Sequence, residues 1–368
     1  MDRRLVYIFL AWLAGLLIIG FFSLSLSSFS PDSERYVKDP PFYRWDSNWY
    51  ISIADSGYSF SPETNSNIAF FPLYPALIRI SHELTGLRMS WVGFYLSITF
   101  ALGAFLMLYR LLLLDYAKSQ SRKIVIFWIL FPFSYFLISV YTESLFIFLA
   151  VASLYFAREK RWLAASIMAA LAVLSRPYGI FLLPVLIWEY FSDEKFSFAA
   201  LRQKSFWLVS LIPLAAFLLF IIYNKLRFNE PFAFLLAQQN WGRITASPLP
   251  VFFSYAREVL KSSTYTIQNL HFAVDFGAIL FALTALYLSL KRSIRPSYIL
   301  LSVLLIAPAL LSGTFTSIHR YVLAAFPLFI APALALEKNS WLFGGYCFLS
   351  FLLLLYFASL FVRWAPIF

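Results

Sequence analysis

Long apolar runs, separated by polar connections, are the feature of this sequence that most restricts its fold. Of its 368 residues, 61% are hydrophobic and 13% are charged, a balance that a soluble domain does not need to fill its core. About eleven runs approach the ~20 residues with which a helix crosses a bilayer, although several middle runs are shorter. They cover 5–28, 89–114, 124–140, 143–157, 162–175, 178–191, 206–223, 271–290, 297–313, 319–336 and 341–362. The sequence therefore predicts an all-α, multi-pass membrane protein of a single domain, 1–368, with about eleven transmembrane helices.

The net charge of +11 comes mostly from Lys and Arg in short connections between the apolar runs. The positive-inside rule produces this placement, so the charge argues for a membrane orientation and against a nucleic-acid partner. With the N-terminus in the cytoplasm, two long connections, 29–88 and 224–270, become a first and a second external loop. Cys347 is the single cysteine, which excludes an intramolecular disulfide. The three histidines are far apart in sequence, so no His cluster has metal-ligand spacing.

The first external loop contains a carboxylate, Asp46, in an aromatic setting. The apolar residues over 45–54 have the spacing of an amphipathic helix that would lie at the water–lipid boundary. Asp46 falls in the first turn of this helix, where a carboxylate is a good cap. A partly desolvated carboxylate between two tryptophans also suits a general base. The pattern alone leaves both interpretations open.

The same loop ends in the segment AFFPLYP, 69–75, whose two prolines turn the chain back toward the membrane. Aromatic side chains at such a boundary anchor a protein in lipid, and they also stack on sugars. The residues that we expect to contact the acceptor or lipid are Trp45, Trp49, Tyr50, Phe71 and Tyr74.

Four further polar residues stand at ends of apolar runs on the predicted external face: Glu143, Arg176, His319 and Arg320. Each has an ordinary explanation, since a glutamate complements a helix N-terminus and an arginine reaches toward lipid headgroups. Their convergence with Asp46 on one face nevertheless predicts an active site at the membrane interface. The second external loop adds basic residues that form either a rim around an anionic substrate or a solvated face: Lys225, Arg227, Arg243, Arg257 and Lys261.

Five segments in this order resemble a known family: RWDSNWYISIADSGY (44–58), AFFPLYP (69–75), YTESLF (141–146), SRPYG (175–179) and HRYVLAAFPLF (319–329). They are similar to the PIG-V-like mannosyltransferases, the glycosylphosphatidylinositol mannosyltransferase II family with its prokaryotic relatives. The resemblance implies the C-type glycosyltransferase fold. The first two segments are specific to the family, whereas YTESLF and SRPYG alone would be weak evidence.

The resemblance also implies an inverting enzyme that takes a hexose, typically mannose, from a polyprenyl-phosphate-linked donor. The acceptor would be a hydroxyl of a lipid or glycan on the non-cytoplasmic side, and Asp46 matches the family's essential aspartate. We expect the donor's phosphate and sugar to contact Arg44, Glu143, Arg176, His319 and Arg320. The predicted location is a prokaryotic plasma membrane, or the luminal face of the endoplasmic reticulum in a eukaryote. A divalent metal is compatible with this fold type, and the sequence does not decide whether one binds.

A transporter or flippase of a lipid-linked sugar is the alternative function. A flippase presents charge to both sides and commonly has inverted repeats with broken helices in matching positions. The sequence has no repeat that can be aligned, and its unusual polar residues fall on one face. The enzyme is therefore the favoured hypothesis.

Overall fold

The computed structural model describes residues 2–29, 38–261, 266 and 269–367. These residues form α-helices, short 3₁₀ turns and loops, with no strand among them. The helices are α1 (Arg3–Leu24), α2 (Ser47–Ser56), α3 (Leu73–Thr85), α4 (Met89–Leu112), α5 (Lys118–Ile129), α6 (Glu143–Arg158), α7 (Trp162–Ser175), α8 (Leu182–Asp193), α9 (Lys204–Phe228), α10 (Ala233–Gln239), α11 (Pro248–Lys261), α12 (Leu270–Lys291), α13 (Pro296–Leu310), α14 (Ile318–Ala324), α15 (Ile330–Leu336) and α16 (Ser340–Val362).

Five of the described helices, α1, α4, α9, α12 and α16, are long and apolar enough to cross a membrane. A sixth crossing is formed if α14 and the following helical segment, which meet at an angle of 80°, count as one broken span. Most of the surface of these helices is apolar and exposed at the periphery, where lipid replaces water as the solvent. The chain is therefore an integral membrane protein.

The predicted count of eleven crossings is not established by helix length. The run 124–140 is not one helix, because α5 ends at Ile129 and a 3₁₀ turn occupies Ser134–Leu137. Pro132 lies between them, and proline has no N–H with which to continue the helical hydrogen bonds. The run 319–336 likewise breaks between α14 and a 3₁₀ turn that contains Pro327. At both breaks the chain stays inside the bundle, since every residue of Ser134–Leu137 and of Phe326–Phe329 is buried.

The helices α4, α6, α7 and α9 pack against one another in this order, while α1 packs against α16. Buried indoles fasten distant segments together: Trp12 donates to the Ser134 hydroxyl at 3.1 Å, and Trp128 donates to the Leu323 carbonyl at 3.1 Å. Hydrogen bonds of this kind satisfy polar groups that neither lipid nor an apolar core can satisfy. The broken segments are thereby held in fixed positions.

The two long loops that the sequence predicts to be external dock on each other through a small apolar cluster that is separate from the main core. Phe71 packs with its ring centroid 4.4 Å from that of Phe220 on α9 and 5.5 Å from that of Phe234 on α10. The Asn240 amide donates to the carbonyl of Thr64 at 2.7 Å. α9 continues to Phe228, so the second loop begins later than the predicted residue 224. The docked loops enclose a space over the ends of α6, α7 and α14.

Two aromatic residues of the AFFPLYP segment are core residues instead of lipid contacts. Tyr74 is fully buried, its hydroxyl lying 2.8 Å from the Gly93 carbonyl and 2.6 Å from the Ser97 hydroxyl. Phe71 is 1% exposed within the small apolar cluster. Tyr74 is covered where α3 folds back against α4, and Phe71 is covered by α9 and α10, so neither ring anchors the protein in lipid. Contact of Phe71 with an acceptor remains a prediction.

Candidate active site

A cavity of about 630 Å³ lies between the docked loops and the helix ends beneath them. Its charged lining residues come from four distant parts of the chain: Asp46, Arg176, Arg243 and Arg320. Its aromatic lining consists of Trp45, Trp49, Tyr50, Phe70, Phe71, Tyr178, Trp241, Tyr321 and Trp364. Its volume falls in the range of small-molecule sites.

Asp46 immediately precedes α2 but does not cap it with its side chain. Instead, Oδ2 accepts a hydrogen bond from Nη1 of Arg320 at 2.7 Å, across 274 residues of sequence. The Asp46 backbone N–H donates to the Tyr141 hydroxyl at 3.2 Å. The side chain is 30% exposed, and no described protein donor binds Oδ1. One oxygen of the carboxylate is thus held in place while the other remains available to a ligand in the cavity.

Arg320 is the centre of an ion-pair chain at the base of the cavity. Its Nε donates to Oε1 of Glu143 at 2.7 Å, and the same oxygen lies 3.1 Å from Nη1 of Arg176. The Arg320 guanidinium also lies over the Tyr141 ring at 4.5 Å. Glu143 is fully buried and Arg320 is 8% exposed. Buried charges are tolerated only when they are paired. The linked ion pairs therefore fix the relative positions of Asp46, Glu143, Arg176 and Arg320.

Two glycines allow segments of backbone to approach each other closely, and these approaches position Arg176 and Arg243. A Cβ on Gly179 would collide with the backbone of Ala172 and Val173, so glycine lets the turn after Arg176 fold back onto α7. Gly313 has a φ of +73°, and a Cβ there would lie 2.9 Å from the carbonyl oxygen of Ile244. Glycine adopts this backbone conformation at little cost, which keeps the segment after Arg243 beside the start of α14.

Arg243 reaches the cavity from the second long loop, between α10 and α11. Its Nη1 donates to the hydroxyl of Tyr321, which also lies 2.6 Å from the hydroxyl of Tyr178. The backbone N–H of Ile244 donates to the Ser312 carbonyl at 3.1 Å and fixes the loop. The adjacent Tyr321 oxygen raises the pKa of Arg243 above its usual value. Within the described ranges Arg243 pairs with no carboxylate, so its positive charge is not compensated.

Tyr50, on α2, supports the site from the side of the first loop. Its hydroxyl lies 3.2 Å from the Thr142 hydroxyl, directly before Glu143 in the chain. Burial raises the pKa of Tyr50 above its usual value, and the nearby Glu143 carboxylate raises it further. The phenol therefore stays protonated and keeps α2 attached to the start of α6 across the ordinary pH range.

Two of the sequence-predicted ligands lie elsewhere. His319 is 1% exposed and its Nδ1 lies 3.0 Å from Oδ1 of the equally buried Asp275 on α12. Arg44 is 3% exposed and donates to the Val362 carbonyl at 2.8 Å and to the Tyr43 carbonyl at 2.7 Å. Both side chains connect segments of the protein, and neither lines the cavity. The remaining predicted residues, Asp46, Arg176 and Arg320 with Glu143 beneath them, come together.

The carboxylates of the site do not form a ready-made set of ligands for a divalent metal ion. Calcium takes six to eight oxygen ligands, many of them from the protein, whereas magnesium keeps several waters and needs only one or two carboxylates besides substrate phosphates. Asp46 and Glu143 are separated by Arg320, and each gives one oxygen to it. Nowhere in the described part of the chain do three or more His, Cys, Asp or Glu side chains converge as metal ligands.

Residues 23–242 match the family model described as mannosyltransferase (PIG-V). The matched segment is more than half of the chain and includes Asp46, Glu143 and Arg176. The chain belongs to the PIG-V mannosyltransferase family. No curated protein sequence matches it closely enough to count as a relative.

Solved structures share the fold of this PIG-V family member. ArnT from Cupriavidus metallidurans bound to undecaprenyl phosphate is 17% identical with a TM-score of 0.54, over 92% of this chain and 62% of that one. The apo oligosaccharyltransferase of Archaeoglobus fulgidus is 15% identical with a TM-score of 0.50, over 97% of this chain and 56% of that one. This chain spans about three fifths of their length. The predicted C-type glycosyltransferase fold is confirmed.

Sequence reasoning did not assign Arg243, Tyr321 or Trp364 to the site of this PIG-V protein. Arg243 was one of several loop cations, with no signal that separated it from its neighbours. Tyr321 directly follows Arg320, and its position beside a predicted site residue was the signal that could have identified it. Trp364 lies after the last helix and outside the matched segment 23–242, so only the folded chain brings it to the cavity.

Proposed function

We propose that this chain is an inverting glycosyltransferase that moves a hexose, with mannose as the first candidate, from a polyprenyl-phosphate-linked donor to an acceptor hydroxyl. The observation that carries the proposal is the Asp46 carboxylate, with one oxygen bound to Arg320 and the other facing a basic cavity. Family membership supports the sugar, and the structural similarity to ArnT, bound there to undecaprenyl phosphate, supports the donor class.

In the proposed reaction, Asp46 Oδ1 takes the proton of the acceptor hydroxyl as its oxygen attacks the anomeric carbon. The bond between that carbon and the phosphate oxygen breaks, and the lipid phosphate leaves with the electron pair. A phosphate already carries negative charge, so the departing group needs cationic stabilisation more than a proton. Arg320 orients Asp46, and its pairing with two carboxylates makes it a poor ligand for the phosphate.

Arg176 and Arg243 are the proposed ligands of the phosphate. Three guanidinium groups face two carboxylates at the site, which leaves a net positive charge beside the cavity. Arg176 uses one nitrogen on Glu143, and its remaining N–H groups are available for a bidentate contact. Arg243, which pairs with no described carboxylate, supplies the uncompensated charge. Glu143 fixes the distance between Arg176 and Arg320, because its Oε1 contacts both guanidinium groups.

The acceptor is proposed to be a lipid or glycan hydroxyl on the non-cytoplasmic face. The reason is that the short basic connections are expected to face the cytoplasm, and the long loops around the cavity would then face the other side. About eleven crossings remain part of this proposal, with short helices such as α5 and α8 crossing only part of the bilayer.

Cysteines introduced at the exposed Glu63 and Ser119 in a Cys347→Ser background are expected to react with an impermeant reagent from opposite sides of the membrane. If both cysteines reacted from the same side, the predicted placement of these two segments on opposite sides of the membrane would be wrong.

The function is tested with purified protein in liposomes, radiolabelled polyprenyl-phosphate-mannose and a lipid extract of the native host. Transfer of label to an acceptor is the expected result, and it would deliver the acceptor for identification. If the protein binds the donor and transfers neither mannose nor another hexose, the glycosyltransferase is refuted. Movement of lipid-linked sugar across the membrane would then be the better hypothesis.

Arg243→Gln is expected to raise the KM for the donor by about tenfold to a hundredfold, as loss of one charged hydrogen bond predicts. The reason is that Arg243 contacts the phosphate of the bound donor, and kcat should fall as well because the same contact stabilises the departing phosphate. Initial rates against donor concentration measure both constants. Arg257→Gln, an exposed arginine of the same loop, is the control. An unchanged KM in the Arg243 variant would remove this residue from the phosphate site.

A further inference from the structure

The segment after α16, Arg363–Ile367, folds back onto the base of the first external loop. Nε of Arg363 donates to the Ser27 carbonyl at 2.9 Å, and the Phe29 N–H donates to the Arg363 carbonyl at 2.8 Å. From the other side, Arg44 donates to the Val362 carbonyl at 2.8 Å. The contacts on both sides hold this segment against the residues that precede Asp46.

These contacts bring together two tryptophans that line the cavity. The rings of Trp45 and Trp364 lie 5.2 Å apart in an edge-to-face arrangement, and the Arg44 guanidinium is 5.4 Å from the Trp364 ring. Both residues have left-handed backbones, with φ of +51° and +66°. Large side chains adopt this conformation at a cost, and such strain persists where the surrounding structure imposes it, often at functional sites.

The position of the pair matters because Trp45 directly precedes Asp46. A base that removes a proton from an acceptor hydroxyl also removes one from water, which is smaller and far more concentrated. If water attacks, its oxygen bonds to the anomeric carbon, its proton passes to Asp46 and the lipid phosphate leaves with the electron pair. The products are then free sugar and polyprenyl phosphate, and the donor is lost. Closed active sites suppress such side reactions by excluding water.

We propose that Trp364 is a specificity-determining residue that fills the cavity wall beside Asp46 and favours the acceptor hydroxyl over water. The inference rests on the proposed function, since it assumes transfer from a hydrolysable lipid-linked donor. Trp364 is 8% exposed, and its accessible ring surface forms cavity wall. No part of the matched family segment includes it. Shortening this side chain makes room for water next to the base. The substitution does not alter Asp46 or Arg320.

The experiment compares wild-type protein with Trp364→Ala and Trp364→Phe in liposomes that contain labelled polyprenyl-phosphate-mannose. Acceptor product and free mannose are measured together, and free mannose is measured again without acceptor. The ratio of transfer to hydrolysis is expected to fall by about tenfold in Trp364→Ala and less in Trp364→Phe, whose ring still fills part of the space. Trp341→Ala, a 91% exposed tryptophan on α16, should keep the wild-type ratio.

The rate of hydrolysis without acceptor separates this role from a structural one. The proposal requires that rate to stay equal or rise in Trp364→Ala, whereas damage to the fold would lower transfer and hydrolysis together. If the alanine variant does not fold, Trp364→Phe decides, and an unchanged ratio there refutes the proposal. Transfer by wild type with no change of ratio refutes the inference alone. A wild-type protein that neither transfers nor hydrolyses refutes the proposed function and the inference with it.

Discussion

Asp46→Asn is expected to lower the rate of sugar transfer by at least about a hundredfold, the usual contribution of a general base. An asparagine has the same shape, and its carbonyl can still accept the hydrogen bond that Arg320 donates to Oδ2. It cannot accept a proton from a hydroxyl. Donor binding and membrane insertion should therefore persist while the chemical step is lost. Initial rates of mannose transfer at saturating donor measure the effect.

A matched control for this variant is available on the same helix. Asp55 is exposed near the end of α2, and its carboxylate accepts a hydrogen bond from the neighbouring Ser56 hydroxyl. Asp55→Asn removes the same charge from the same loop and should leave the rate unchanged. If Asp46→Asn retains more than about a twentieth of wild-type activity, well above the loss of a general base, the proton acceptor is another group.

Glu143→Gln is expected to destabilise the fold by about 3–5 kcal/mol, as removal of one partner from a buried ion pair does. The single carboxylate oxygen Oε1 serves both Arg320 and Arg176, and Glu143 has no exposed surface. A glutamine leaves two guanidinium groups close together in a buried site without their shared countercharge. Their repulsion should displace Arg320 and with it Asp46, so activity is lost as well. Thermal unfolding of the purified protein in detergent measures the change in stability.

Two further variants test the ion-pair explanation. Glu159→Gln, at the exposed end of the same helix, should leave the unfolding temperature unchanged. The double variant Glu143→Gln with Arg176→Gln should recover part of the lost stability, because it also removes the Arg176 charge that Glu143 no longer compensates. An unfolding temperature for Glu143→Gln equal to that of wild type would mean that the two arginines are solvated at the cavity floor instead of paired.

Local sequence patterns were sufficient where the determining interaction is itself local. The amphipathic spacing over 45–54 predicted a helix that the structure has at Ser47–Ser56. The apolar runs correspond to helices because, in lipid, a backbone satisfies its own hydrogen bonds most simply as a helix. The same reasoning did not foresee the break after Ile129 or the 80° bend after Ala324. Packing inside the bundle supports those breaks, and apolarity alone gives no sign of them.

For the site, sequence order predicted which end of each helix carries a polar residue but not what that residue contacts. Arg44 and Arg320 are both arginines near an aspartate or the start of a helix, and both were expected to bind the donor. In the folded chain Arg44 donates to backbone carbonyls at the end of α16, whereas Arg320 binds the Asp46 carboxylate. Partners 318 and 274 residues apart cannot be matched by spacing, because many arrangements of the helices place the same residues on one face.

By itself, the sequence determined that this chain is an integral membrane protein of helices and that it belongs to the PIG-V family, and it predicted the group of Glu143, Arg176 and Arg320 near Asp46. These properties follow from composition, periodicity and motifs, which are written along the chain. Only the tertiary structure decided that Asp46 binds Arg320 instead of capping α2, that Arg243 carries the uncompensated charge, and that Trp364 forms a wall beside Asp46. Each of these depends on the distance between segments remote in sequence, and that distance is set by how the helices and loops pack.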